Sequence, residues 1–188
     1  MVIERIDFSN NYLYNVNIDI ARCTNLSMLN LANNKMSILS ISLPERANFT
    51  LFAQNNYLIE IDFNSLPSKL IFVGHHNKLQ DMVFLRTMNN VVLQTDLNHN
   101  KINSWSALVQ TRLKPNSSID LRNNPLTCDE ILICMAMEQQ VQIYAAGCAK
   151  CEGSQNPPTL LPDITTTKND LITTGQEEAE SVWDLFDF

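Results

Sequence analysis

The chain has 188 residues, of which 45% are apolar and 18% charged, with a formal net charge of −7. That apolar fraction supports a folded core and excludes an acidic disordered polymer for most of the length. Asp163, Asp170, Glu177, Glu178, Glu180, Asp184 and Asp187 stand against Lys168 alone, so −6 of the −7 lies after residue 162 and −1 before it. No run of basic residues is available for phosphates, and nucleic acid is not an expected partner. The longest apolar run, Ile131 to Met137, is far short of the roughly 20 residues a spanning helix needs, so no membrane span is expected. No signal-peptide pattern follows Met1, and the N-terminal coil carries no cap of its own, so the sequence is expected to lack its natural start.

Along the body, the pattern L-x-x-L-x-L-x-x-N-x-L recurs. Its asparagines fall at Asn11, Asn34, Asn56, Asn77, Asn100 and Asn124, spaced 23, 22, 21, 23 and 24 residues apart. The apolar positions follow: Ile3, Ile6, Phe8 and Leu13 in the first repeat, then Leu26, Leu29, Leu31 and Met36. The third repeat is weaker (Leu51, Ala53, Leu58), and the fourth has Gly74 where a leucine belongs, which predicts a distorted coil. Val92, Leu97 and Ile102, then Ile119, Leu121 and Leu126, complete the set. Such a period predicts a solenoid in which no coil buries its apolar edge alone. Alternate apolar positions make a short strand, and the asparagine turns inward to satisfy backbone groups as the chain leaves it. Coils this short leave no room for full helices behind the strands, where irregular or 3₁₀ segments are expected. Cys23 is read as a buried thiol on that side.

After Asn124 the chain reads Pro125-Leu126-Thr127-Cys128, followed by a helical pattern over about 129–140 with Ile131, Leu132, Met135 and Val141 at core spacing. Cys134, Cys148 and Cys151 complete a set of four. The repeats and this NPLTC start resemble extracellular leucine-rich-repeat proteins, in the style of insect leucine-rich immune proteins and Toll-type ectodomains. The resemblance implies an α/β leucine-rich-repeat solenoid: a curved parallel sheet, a mostly irregular convex side, and a C-terminal helical cap stapled by Cys128, Cys134, Cys148 and Cys151. Where the family places its second cysteine two residues after the first, this chain places it six later, so all three pairings stay open. A four-cysteine zinc site is the rival reading; a single C-x-x-C and the position after the repeats favour disulfides. The division expected is 1–127 for about six repeats, 128–154 for the cap, and 155–188 for a disordered Pro/Thr-rich linker with an acidic-aromatic tail lacking heptads.

Three sequons, at Asn25, Asn48 and Asn116, together with the cap cysteines favour a secreted glycoprotein. A cytoplasmic protein with reduced thiols is the alternative. The side chains between paired strand leucines are expected on the concave face: Asp7, Asn30, Phe52, Val73, Asp96 and Asp120. His75 and Arg122 lie in the next outward column, and the turn column reads Asn10, Asn33, Asn55, His76, His99 and Asn123. That predicts a central apolar patch, a histidine cluster and an acidic end, with His76 and His99 about 5 Å apart by strand spacing. The histidines are read as decoration of a binding face, with no cofactor and no resident metal; the sharper alternatives are a pH-sensitive pair or a pair that holds a metal with Asp96. No G-x-S-x-G, H-E-x-x-H, P-loop or G-x-G-x-x-G is present, and catalysis is not expected. The resemblance implies recognition of a protein or a microbial surface component, in the manner of innate immunity. The competing reading is a structural adaptor that binds through its tail or its N-terminal edge.

Overall fold

The computed structural model describes residues 2–129, 133, 136 and 139–145, all within one compact unit, Met1–Pro157. Ten strands follow in chain order: β1 (Arg5–Asp7), β2 (Asn15–Asp19), β3 (Met28–Asn30), β4 (Ile38–Ser42), β5 (Asn48–Phe52), β6 (Glu60–Ser65), β7 (Lys69–Val73), β8 (Val92–Asp96), β9 (Ser118–Asp120) and β10 (Gln142–Tyr144). They form two parallel sheets, one seven-stranded in the order β1-β3-β5-β7-β8-β9-β10 and one three-stranded in the order β2-β4-β6. Each early coil gives one strand to each sheet, and the leucine positions of both meet in a common core. Leu31, Met36, Leu39, Ile41, Leu51 and Leu58 are fully buried there.

The inward asparagines join the coils. From Asn34 onward, each side-chain Nδ2 donates to the carbonyl three residues back and to the equivalent carbonyl one coil earlier. Asn77 reaches Gly74 at 3.1 Å and Ala53 at 3.0 Å; Asn100 reaches Leu97 and Gly74, both at 3.0 Å. The Oδ1 atom accepts an N–H from the preceding coil. Leu13 donates to Asn34, Met36 to Asn56, Leu58 to Asn77, Leu79 to Asn100 and Ile102 to Asn124, at 2.9–3.1 Å. An apolar residue could make none of these bonds, and the backbone groups of the turn would be buried unsatisfied.

Three expectations need correction. The side behind the main sheet is not mostly irregular: in the first three coils it is the sheet β2-β4-β6. Val16, Leu39 with Ile41, and Ile61 with Phe63 point inward while Asn17, Asp62 and Asn64 stay exposed. That is the alternation of a half-buried strand. Only later coils replace it, with a 3₁₀ segment at Val83–Thr87 and one α-helical turn, α1, at Ser106–Val109. Helix is therefore scarce among the described residues, and the observed class is a parallel β-solenoid rather than α/β.

The fourth coil is regular, against the expected distortion. β7 pairs with β5 and β8 across its whole length, and the Gly74 N–H donates to the Asp96 carbonyl at 2.9 Å. Glycine stands there because the Phe72 ring fills the space a leucine would take. A Cβ on Gly74 would lie 2.7 Å from Phe72 Cζ and 3.1 Å from Leu97 Cδ2. The ring cannot swing clear, because Phe63 and Phe84 hold it edge-to-face at 5.8 and 6.0 Å.

Cys23 is exposed, not a core thiol. It lies in the tight turn after β2, where its N–H bonds the Ile20 carbonyl at 2.9 Å.

Residues 142–144 add a seventh strand to the main sheet in the stretch assigned to the cap, with Ile143 opposite Ile119 and Tyr144 opposite Asp120. Val141 and Ile143 repeat, 24 residues on from Ser117 and Ile119, the spacing of the coil before. Most of the expected cap helix, Cys134, Cys148, Cys151 and the 155–188 segment lie outside the described residues. No described helix is long and apolar enough to cross a membrane.

Replacing Gly74 with alanine should overpack the fourth coil and destabilise the fold by about 1–3 kcal/mol. Combining Gly74→Ala with Phe72→Leu should recover part of that loss. Urea unfolding midpoints measure both; an unshifted midpoint in the single variant would show that Phe72 does not set the glycine requirement.

Candidate ligand-binding face

Strand register places the expected column as drawn from the sequence. Asp7, Asn30, Phe52, Val73, Asp96 and Asp120 lie side by side, each the last residue of its strand. Tyr144 extends the column on β10, and the sequence reading misses it. Residues two places earlier share this face: Met28, Thr50, Ile71, Gln94 and Ser118.

Four members of the column do local work. Asp7, Asn30, Asp96 and Asp120 each accept the N–H two residues ahead, at 2.8–3.0 Å. These Asx turns bend the chain out of the strand, a structural reason for Asp and Asn at strand ends that is independent of any ligand. Phe52 and Val73 are only 8% and 2% exposed. Neighbours one strand spacing away on every side shield them, so they are not an open apolar patch.

The next column explains the recurrent asparagines and histidines. Asn10, Asn33, Asn55, His76, His99 and Asn123 all have φ between 53° and 59°. This left-handed conformation is uncommon outside glycine, and Asn and His are among the side chains that tolerate it best. Asn33 donates to Asn10 at 3.1 Å and Asn55 to Asn33 at 2.9 Å. In the same register His76 and His99 stack in parallel, with centroids 4.4 Å apart and planes 8° from parallel.

His75 closes the cluster, its Nδ1 lying 2.8 Å from Nδ1 of His76, a contact in which one ring donates and the other accepts. Burial holds the His75 imidazole below its ordinary value, reinforced by His76 and His99 and opposed by the Asp96 carboxylate. Burial also raises the Asp96 carboxyl, against the Asn98 N–H and His75. On the next strand the guanidinium of Arg122 grips Asp120 through Nε, at 2.9 and 3.1 Å, and through its terminal nitrogen. This bond raises Arg122 further. Tyr144 beside them is raised by burial and by Asp120, and its hydroxyl donates to Gln142 at 2.9 Å.

The structure thus gathers His75, His76, His99, Asp96, Asp120, Arg122 and Tyr144 on neighbouring rungs. Asp7 stands several rungs away at the other end. No group of three or more His, Cys, Asp or Glu side chains among the described residues is arranged to hold a metal ion. The sequon asparagines Asn25, Asn48 and Asn116 are exposed, each just before or at the start of a main-sheet strand. No protein-family model matches the chain, and no match was found among curated proteins or solved structures.

Because His75 is harder to protonate when folded, it contributes stability in full above about pH 6.5, and that stability is lost as pH falls through the lower folded value. Asp96 contributes with the opposite sign, so a single substitution is needed to isolate the histidine. The His75→Gln variant should lose less stability than the parent between about pH 7 and pH 5.5. Identical pH slopes in chemical denaturation would remove His75 from the account.

Proposed function

We infer that this protein is a non-enzymatic recognition module that binds a protein ligand or a microbial surface component on the outward face of its seven-stranded sheet. The observation that carries this reading is the cluster of His75, His76, His99, Asp96, Arg122 and Tyr144. Aromatic, cationic and carboxylate groups are collected there on consecutive rungs of a rigid ladder. Buried aromatic and arginine anchors carry most of the energy of protein interfaces, and side chains fixed on a sheet lose little entropy on binding. A catalytic base works in a shielded site against a positioned nucleophile; His76 and His99 are exposed, which favours contact over catalysis.

In this reading the solenoid is a leucine-rich-repeat array of the extracellular kind, secreted, glycosylated at Asn25, Asn48 and Asn116, and closed by a disulfide cap. Support comes from the repeat spacing, the exposure of all three sequons, and Cys128, which unlike Cys23 does not present a free thiol. A role in innate recognition follows from the family resemblance.

Two measurements test the proposal. Intact mass after expression through a secretory pathway, with and without reduction, should show glycans and two disulfides; four free cap thiols would overturn the extracellular part. In a binding screen against secreted proteins and microbial surface fractions, the Gln94→Lys/Arg122→Glu variant should lose at least about 2 kcal/mol with any ligand found. An Asp19→Lys control on the opposite sheet should bind as the parent does. Equal binding by both variants would move the ligand off this face.

A further inference from the structure

A second surface is assembled from residues that are far apart in sequence. Where each of the first five coils leaves the main sheet, the residue after the inward asparagine points out: Tyr12, Lys35, Tyr57, Lys78 and Lys101. Their backbones continue the rungs, with the N–H groups of Lys35, Tyr57, Lys78 and Lys101 donating to Leu13, Met36, Leu58 and Leu79 at 2.8–2.9 Å. Lys35 Nζ lies 4.5 Å from the Tyr12 ring centroid, and Lys78 Nζ lies 4.5 Å from that of Tyr57. The tyrosines hold these ammonium groups in place while their own edges stay in water, Tyr12 at 73% and Tyr57 at 50% exposure.

The flanking columns are Asn10, Asn33, Asn55, His76, His99 and Asn123 on one side, and Tyr14, Ser37, Ile59, Gln80 and Asn103 on the other. None of these positions is acidic, although the whole chain carries −7. Among the described residues the one ion pair is Arg122–Asp120, so Lys35, Lys78 and Lys101 have no carboxylate partner. At the fourth and fifth coils, Lys78 and Lys101 stand on adjacent rungs beside the stacked rings of His76 and His99. Like charges directly opposite on adjacent strands repel, and a bound anion would relieve that repulsion.

We propose that this flank binds a linear acidic polysaccharide laid along the solenoid axis. The rung spacing selects it. Lys78 and Lys101 are one rung apart, about 4.8 Å, and Lys35 and Lys78 two rungs, about 9.6 Å. An extended peptide brings same-face side chains back only every ~6.6 Å, out of step with those rungs. A pyranose chain advances by a length close to one rung per sugar and offers hydroxyls as well as anionic groups. Hydroxyls match the Asn10–Asn33–Asn55 amide ladder and the tyrosine phenols; carboxylate or sulfate groups match the lysines. The sequons Asn25, Asn48 and Asn116 lie where the chain re-enters the sheet, on the other flank, so glycans there leave this one open.

The test uses the full chain and a heparin dodecasaccharide, with a poly-glutamate peptide and a single-stranded oligonucleotide of matched charge as comparators. The heparin fragment should bind more tightly than both comparators at equal salt. The Lys78→Gln/Lys101→Gln variant should weaken heparin binding roughly tenfold or more, while an Arg112→Gln/Lys114→Gln control on the other flank should not. His76→Asn/His99→Asn should fold, because asparagine fills the same column in the other coils, and should weaken binding by a smaller factor. Loss of equal size in the Arg112/Lys114 control would reduce the interaction to nonspecific charge. Peptide or oligonucleotide binding as tight as heparin would overturn the polysaccharide assignment, as would no heparin binding.

Discussion

One side chain per coil holds this fold together. The inward asparagine ties three backbone groups to two successive coils, and every other column is placed relative to it. The strand ends four residues before it, and the left-handed turn residue comes one before it. Outward Tyr or Lys follows one residue after in the first five coils, and the next core residue two after. A solenoid has no long-range closure, so its stability is a sum of coil and coil-to-coil terms. A ladder of buried amides makes each of those interfaces specific in register as well as favourable in energy.

From that constraint the two candidate surfaces follow. The main-sheet face presents the strand-end Asx turns with the histidine, arginine and tyrosine groups of the later coils. The adjoining flank presents the tyrosines and lysines that come directly after the asparagine. Both are built from residues about one coil length apart, so a local excess of charge or aromatic character in space leaves no trace in any short window of sequence. The basic flank is the clearest case: Lys35, Lys78 and Lys101 read as isolated lysines along the chain and as one stripe on the surface.

The legible part of the sequence was the part with long periodicity. Six asparagines at near-constant spacing located six of the seven rungs of the main sheet, the register of Asp7 through Asp120 and the pairing of His76 with His99. What escaped was decided within single coils. Alternation at Val16, Leu39 with Ile41, and Ile61 with Phe63 covers too few residues to stand out, and it makes a second sheet. Gly74 looked like a defect because the pattern scores one position at a time, whereas Phe72 supplies the missing volume from two residues away. The Phe52–Val73 pair looked like a binding patch because hydrophobic type was read without burial. Tyr144 was missed because Val141 and Ile143 were assigned to a cap helix rather than to a further coil.

The asparagine ladder can be probed without altering the protein. Backbone amide exchange, resolved by residue, should find the N–H groups of Leu13, Met36, Leu58, Leu79 and Ile102, which donate to the asparagine Oδ1 atoms. The account predicts that the central members, Met36, Leu58 and Leu79, exchange only through global unfolding, as slowly as the strand interiors. Exchange of these three at the rate of the exposed turns would contradict it.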